Sequence, residues 1–437
     1  MNLLNKIVNS KNKELINLRR KFHKHPERGW LELYTTVEII KYLDNLAYDL
    51  KYGKQILKES SRQGLPTDLE FKKARERAYK WGADSTLLDE IKDGFTGAVA
   101  IINSNKPGPT TALRFDIDAI GAQEDCSDEH RPNRENFNSI NPNAVHSCGH
   151  DGHIAIGLGL AKCVKKLFLQ NRLRGKVIFI FQPAEEGVRG ARAMADTDLL
   201  EAVDYFLSGH IGFKSDTTGQ IICGITNSLY TKKFDISIKG KSSHAGAAPQ
   251  EGQNALLAAV NAVSALYSLT QHGSGMSRLN VGKLKAGTYR NLVPENAEIE
   301  MEIRGENDEV ISYLFKKVKD IFNGIEDMFN VSVKLKIVGE ATAVKSDQKL
   351  IDIVKKSAKN VKDIKHIIKE DSLGGSEDVS LLMEKVQTQG GQACYLMFGS
   401  DLKAGHHSSN FDFDEKVLST AVQLYLESLK NLGNIDL

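Results

Sequence analysis

The chain has 437 residues, of which 41% are hydrophobic and 26% charged, and its 58 basic and 56 acidic side chains leave a net charge of +2. That length argues for two domains rather than one core, and the near-neutral balance gives no electrostatic footprint for nucleic acid or an anionic membrane surface. There is no run of the ~18 apolar residues that a membrane span needs, no apolar segment of signal-peptide length at the N-terminus, and no disulfide framework among Cys126, Cys148, Cys163, Cys223 and Cys394, so a cytoplasmic setting is expected.

In chain order, a helix is predicted over 12–24, broken by Pro26 and Gly29, and a second near 35–46. Residues 50–93 are rich in Lys, Glu and Arg and read as a helical or irregular insertion with no assignable chemistry. Strands are predicted at 98–102 and 110–115, then a long helix from Asp151. KVIFIF (176–181) is a continuous apolar run between Gly175 and Pro183, which fits a strand buried on both faces. A short strand at 205–207 leads to Gly209 and His210. This alternation of strands and helices predicts a mixed α/β sheet sandwiched by helices.

From 227 to 340 the pattern changes. Phe234, Ile236 and Ile238 alternate with polar residues, a helix follows over 253–270, and strands at 278–285 and 296–304 precede a helix at 307–328 and a strand at 331–338. The order βαββαβ is that of a ferredoxin-like domain. The α/β pattern then resumes with a helix at 348–360, a strand near 394–398 and a helix at 414–430. The expected organisation is a catalytic domain made of 1–226 and 341–437, interrupted by an inserted domain at 227–340.

Four clusters carry chemistry, each where a strand gives way to a loop, the edge at which open α/β sheets bind ligands. HSCGHDGH (146–153) concentrates His146, Cys148, His150, Asp151 and His153, and the adjacent helix N-terminus is expected to favour a Cys148 thiolate. QPAEEG (182–187) offers two adjacent carboxylates, one able to ligate while its neighbour holds a proton. His210 ends a strand, and GHHSSNFDFDE (405–415) sets His406 and His407 before the last helix. One Cys, several His and two Glu suit zinc or manganese better than magnesium or calcium. Two such ions activate a water while a neighbouring carboxylate moves its proton, which is amide hydrolysis. In the inserted domain, His244, Asn291 and Arg304 supply groups able to polarise a carbonyl and bind a carboxylate.

Together CGHDGH, PAEEG, the GHI histidine, SSHAGAAPQEGQNA and the late His before FDFDE resemble the metal-dependent aminoacylase/carboxypeptidase superfamily, in particular its amidohydrolase branch. RRKFHKHPERGWLE (19–32) and GSED (375–378) resemble further stretches of that branch. The resemblance implies that Cys148, His150, Glu186, His210 and His407 are metal ligands, with His150 bridging two divalent ions. It implies Glu185 as general base, and Asp116 and Asp118 as supporting carboxylates, although Gly121 stands where the family carries Pro. It further implies that His244 and Asn291 reach the active site of a second subunit, that Arg304 holds a substrate carboxylate, and that the inserted domain forms a homodimer. ESSRQGLP (59–66), HRPNRENF (130–137) and AGHHSSNFDFDE (404–415) narrow the likeness to members that cleave p-aminobenzoyl-glutamate into p-aminobenzoate and glutamate, which can pair with a homologous second subunit. Hydrolysis of another N-acyl amino acid is the runner-up, and a non-catalytic subunit the third reading, disfavoured because Glu185 and all five ligand positions are kept.

Overall fold

The computed structural model describes Leu4, Ile7, Val8 and residues 11–437. It divides into two compact units, one holding the described residues up to Asn227 together with Val344–Leu437, the other Ser228–Ala343.

The first unit is built on an eight-stranded sheet. Its strands are β1 (Asp49–Tyr52), β2 (Ala98–Asn103), β3 (Thr110–Asp116), β4 (Lys176–Gln182), β5 (Tyr205–Ile211) and β6 (Gln220–Ile222), followed, after a short β7 (Ile225–Asn227) and the second unit, by β12 (His366–Ile368) and β14 (Gln392–Phe398). The order is β1-β2-β4-β3-β5-β14-β6-β12. The four central strands β4, β3, β5 and β14 run parallel, while β2 and β6 lie antiparallel to their central neighbours. The mixed α/β sheet read from the sequence is thus the fold observed. KVIFIF does what a continuous apolar run must in a covered sheet. Val177, Phe179 and Phe181 enter one core with the helices Asn12–Lys24, Leu33–Asp44, His150–Leu169 and Lys416–Leu432, whereas Ile178 and Ile180 enter the other with the helix Val379–Thr388.

Two features differ from expectation. The strand predicted over 205–207 extends to Ile211, because β14 pairs with it in register as far as Phe398 opposite Ile211, so His210 lies within the sheet. The helix Val379–Thr388 and the short strands β1, β6, β7, β12 and β13 (Asp371–Ser372) are additional to the predicted elements; the strands, of two to four residues, carry no readable periodicity. Within 50–93 the structure has two helices, Asp68–Lys80, started by a Thr67–Glu70 capping box, and Ser85–Glu90, capped by Asp84. The first buries only Ala74 and Ala78, which is why its hydrophobic pattern is faint.

The second unit contains β8 (Tyr230–Lys239), β9 (Ser277–Ala286), β10 (Asn296–Gly305) and β11 (Ser332–Ala341), with helices Ala255–Tyr267 and Asp308–Phe329. The antiparallel order β11-β8-β10-β9 is the ferredoxin-like arrangement. Ala297, Ile299, Met301 and Ile303 face its core, as period-two alternation requires. Among the described residues no helix is long and apolar enough to cross a membrane.

Candidate metal centre

Because the central strands are parallel, the ends of β3, β4 and β5 deliver Asp116, the Pro183–Glu186 loop and His210 to one edge. The helix His150–Leu169 begins at the same edge, entered through Gly149 at φ 88°, a left-handed conformation that a residue with a Cβ rarely adopts. Ligand-type atoms converge there in overlapping groups: Cys148 with His150 and His210, Cys148 with Glu186 and His407, and His150 with Glu185 and Glu186, the atoms of each group lying within 4.8 Å of one another.

The imidazoles are oriented by backbone oxygens. A carbonyl only accepts, so His150 Nδ1 donates to Asp118 O (2.9 Å) and His210 Nδ1 to Ile211 O (2.8 Å), leaving both Nε2 atoms for the centre. His210 Nε2 lies 3.5 Å from Cys148 Sγ. One free nitrogen binds one ion, so His150 does not bridge two metals, contrary to the expectation drawn from the resemblance. His407, at φ 68°, sets its Nε2 3.6 Å from Glu186 Oε1, whereas His406 turns away to Ile211 O (3.0 Å) and stacks on Phe213. His153 places Nδ1 2.5 Å from Asp116 and accepts from the Ile211 amide through Nε2 (3.0 Å), so both its nitrogens are engaged. His146 is buried, and among the described residues neither of its ring nitrogens has a hydrogen-bond partner.

Asp116 and Asp118 support this arrangement in different ways. Asp118 accepts the backbone amides of Glu185 (3.1 Å) and Glu186 (3.0 Å), fixing the acidic pair. Asp116 is held by Arg114 Nη1 (2.6 Å), and Arg114 also reaches Asp378 (3.1 Å). Asp378 in turn accepts from Gln182 and from the Gly190 and Ala191 amides. Glu32 accepts the Ala184 amide (2.8 Å) and the Thr96 hydroxyl (2.8 Å), tying the N-terminal signature to the loop. Arg114, Gln182 and Glu32 carry no metal-ligand signal in the sequence. GSED stands out there only by resemblance, yet Asp378 anchors this network.

The electrostatics call for cations. Burial, together with the charges of Glu377, Glu186, Asp378 and Asp118, holds the Glu185 carboxyl well above the ordinary range. Burial raises Glu377 to about 7 against the pull of Arg114. Burial, followed by the charges of Glu186 and Glu185, holds the Cys148 thiol well above its usual value, so the helix N-terminus alone does not yield the expected thiolate. Burial keeps His210 neutral by lowering it well below the usual histidine value. His150 Nε2 and Glu186 Oε1 are buried without a hydrogen-bond partner among the described residues. Orphaned donor atoms and mutually repelling buried carboxylates are what a divalent-ion site looks like from the protein side, and the mixed Cys/His/Glu set fits a borderline transition metal.

In the second unit, His244 is exposed and accepts through Nδ1 from the amides of Gly246 (3.2 Å) and Ala247 (3.0 Å), so Nε2 stays available. Asn291 O accepts the Ala245 amide (3.0 Å), which puts the two side by side. Arg304 lies at the far end of β10, bonded through Nε to Glu302 (2.9 Å). Asn296 and Arg304 are eight residues apart on the strand, about 27 Å at its usual rise.

Comparison with known proteins gives the family of the chain. The model of the family described as Peptidase family M20/M25/M40 matches residues 112–431. The indole-3-acetyl-aspartic acid hydrolase of Enterobacter agglomerans is 42% identical over 424 residues, with 97% of each chain covered. A chain named as one subunit of the p-aminobenzoyl-glutamate hydrolase of Escherichia coli is 41% identical, covering 99% of this chain and 98% of its own. Its homolog in Haemophilus influenzae is 43% identical to the present chain, covering 96% and 98%. Among solved structures, the aminobenzoyl-glutamate utilization protein of Klebsiella pneumoniae superposes with a TM-score of 0.85 at 35% identity, covering 99% of this chain and 98% of that one. This chain belongs to peptidase family M20/M25/M40 and is a metal-binding hydrolase.

Proposed function

We propose that this hydrolase cleaves the amide bond of p-aminobenzoyl-glutamate, releasing p-aminobenzoate and glutamate. The observation that carries the reading is the buried Glu185 carboxyl beside the converging donors of Cys148, His150, Glu186, His210 and His407. Cys148, His150, Glu186, His210 and His407 would hold two divalent ions, manganese or zinc, with Asp116 and Asp118 fixing the loops around them. When bound, such ions polarise the scissile carbonyl and activate water. Glu185 takes a proton from the attacking water and delivers it to the amide nitrogen as the C–N bond breaks, leaving a carboxylate and a free amine.

His244 and Asn291 act on the carbonyl oxygen, and Arg304 takes the substrate carboxylate. His244 and Asn291 lie beyond the Asn296 end of β10 and Arg304 near its other end, about 27 Å along the strand and too wide for one small substrate to span, which supports a site shared between copies. The catalytic role falls to 1–226 with 341–437, and the dimerising role to 227–340. The exposed Leu257, Val260 and Tyr267 of one helix and the edge position of β9, which among the described residues pairs with β10 alone in the sheet, support a homodimer through that unit. Two relatives are named as one subunit of a hydrolase, or as its homolog, which supports a homologous second subunit as well. Five free thiols support a cytoplasmic location. A second reading, cleavage of another aromatic acyl conjugate of an acidic amino acid, is favoured by the 42% identical relative named for indole-3-acetyl-aspartate. The test is purified protein loaded with Mn or Zn against p-aminobenzoyl-glutamate, indole-3-acetyl-aspartate, benzoyl-glycine and acetyl-glutamate. Release of p-aminobenzoate at the highest kcat/KM is expected, and failure to cleave any of the four would overturn the reading.

A further inference from the structure

The segment 62–70, whose sequence carries no assignable chemistry, is pinned beside the metal centre. Trp30 Nε1 donates to Gln63 O (2.7 Å), and Arg189 donates through Nη1 to Gly64 O (3.1 Å) and through Nε to Glu186 O (2.8 Å). The Arg62 guanidinium lies 3.8 Å from the centre of the Phe95 ring. With three consecutive residues anchored, Leu65 and Pro66 form a fixed apolar lip on a cavity of about 460 Å³, whose other walls include Arg28, Glu70, Glu186 and Arg189. Arg28 Nη2 donates to Glu70 Oε1 across it (2.8 Å). Gly121 makes room for that arginine, since a Cβ there would come within 2.9 Å of Arg28 Cδ.

We propose that this cavity receives the acyl group of the substrate, and that residues 62–70 select an aromatic ring carrying an N–H. The inference rests on the amidohydrolase reading above. A carbonyl attacked beside Glu185 has Glu186 as its neighbour, and Glu186 is also a wall of the cavity, so a group attached to that carbonyl enters it. Both arginines of the cavity are already engaged, Arg189 by two carbonyls and Arg28 by Glu70, and the Glu70 carboxylate repels an anionic amino-acid part. A neutral flat ring satisfies all three features. It packs on Leu65 and Pro66, lies against the Arg28 guanidinium, and points an N–H donor at Glu70.

The test compares kcat/KM of the metal-loaded enzyme for p-aminobenzoyl-, benzoyl- and acetyl-glutamate in the wild type, Leu65→Ala, Leu65→Met and Glu70→Gln. Leu65→Ala is expected to lower the p-aminobenzoyl-to-acetyl ratio about tenfold, mainly through KM, with Leu65→Met restoring it to within about twofold. Glu70→Gln, which retains an acceptor for the Thr67 capping box, is expected to lower the p-aminobenzoyl-to-benzoyl ratio about fivefold. Parallel loss on all three substrates would overturn the inference. Binding of p-aminobenzoate alone separates this outcome from failure of the functional reading. Weaker binding to Leu65→Ala than to the wild type sustains the acyl cavity even if the wild type cleaves no aroyl-glutamate, and equal binding overturns it.

Discussion

Replacing Arg19 by Met tests whether the metal-bearing helix is held in place by a buried charge network. The Arg19 side chain is fully buried and meets Asp151 (2.7 Å), Asp412 (2.8 Å) and Glu415 (3.2 Å), so it joins the helix Asn12–Lys24 to the residue after His150 and to the loop after His407. Removing one partner of a buried ion pair costs about 3–5 kcal/mol, because the abandoned charge stays desolvated. Here each carboxylate keeps a second cationic partner: Asp151 keeps His23 (2.8 Å), Asp412 keeps Arg131 (2.6 Å) and Glu415 keeps Arg20 (2.8 Å). Met also keeps the apolar stem between the rings of Phe137 and Phe413, which lie 5.1 and 4.3 Å from the guanidinium. The low end therefore applies, about 3 kcal/mol. Arg19→Lys keeps the charge but not the three-way fork, and its expected cost is about half as large. Urea unfolding followed by tryptophan fluorescence reports on the relevant unit, since the chain's two tryptophans, Trp30 and Trp81, both lie in it. A loss below about 1 kcal/mol for Arg19→Met, or equal losses for Met and Lys, would refute the reasoning.

Four further outcomes are expected. Glu185→Gln lowers kcat by about 10²–10⁴-fold while metal content by plasma emission stays at the wild-type stoichiometry; loss of the metal would remove its role as base. His244→Ala and Glu185→Ala, each nearly inactive, regain activity on mixing and subunit exchange, and an absence of rescue would argue against a shared site. Chelation abolishes activity and lowers the unfolding free energy, by about 2.7 kcal/mol for each ion relative to protein held at a hundredfold excess of metal over its Kd, which is read as a lower urea midpoint; an unchanged midpoint would show that these side chains hold no ion. His23 presents its two ring nitrogens to carboxylates, Asp151 and Glu124, each at 2.8 Å, and despite burial these raise it to about 9. Its contribution to stability is therefore complete below an unfolded value of about 6.5 and is lost as pH rises through about 9. The urea midpoint of the wild type should fall between those values, and His23→Gln should flatten the fall.

How much was legible in the sequence follows from the range of each signal. KVIFIF, the period-two alternation of AEIEMEIR (297–304) and the βαββαβ order are local patterns, and a strand or helix with one or two apolar faces must bury them. They therefore dictated the sheet and the ferredoxin-like unit before any contact was known. The thiol, imidazole and carboxylate clusters were legible for a similar reason, since ligands that share an ion are carried on short loops at strand ends. The environment of those groups was not. Arg19 finds Asp412 across 393 residues, and Arg114 finds Asp378 across 264. His150 loses the capacity to bridge because a carbonyl 32 residues away claims its second nitrogen. A buried charge is paired by whatever the tertiary fold brings within about 3 Å, and no spacing along the chain encodes that neighbour. The same holds for residues 62–70, where a polar, unpatterned sequence becomes the wall of a cavity only because Trp30 and Arg189 hold its backbone there.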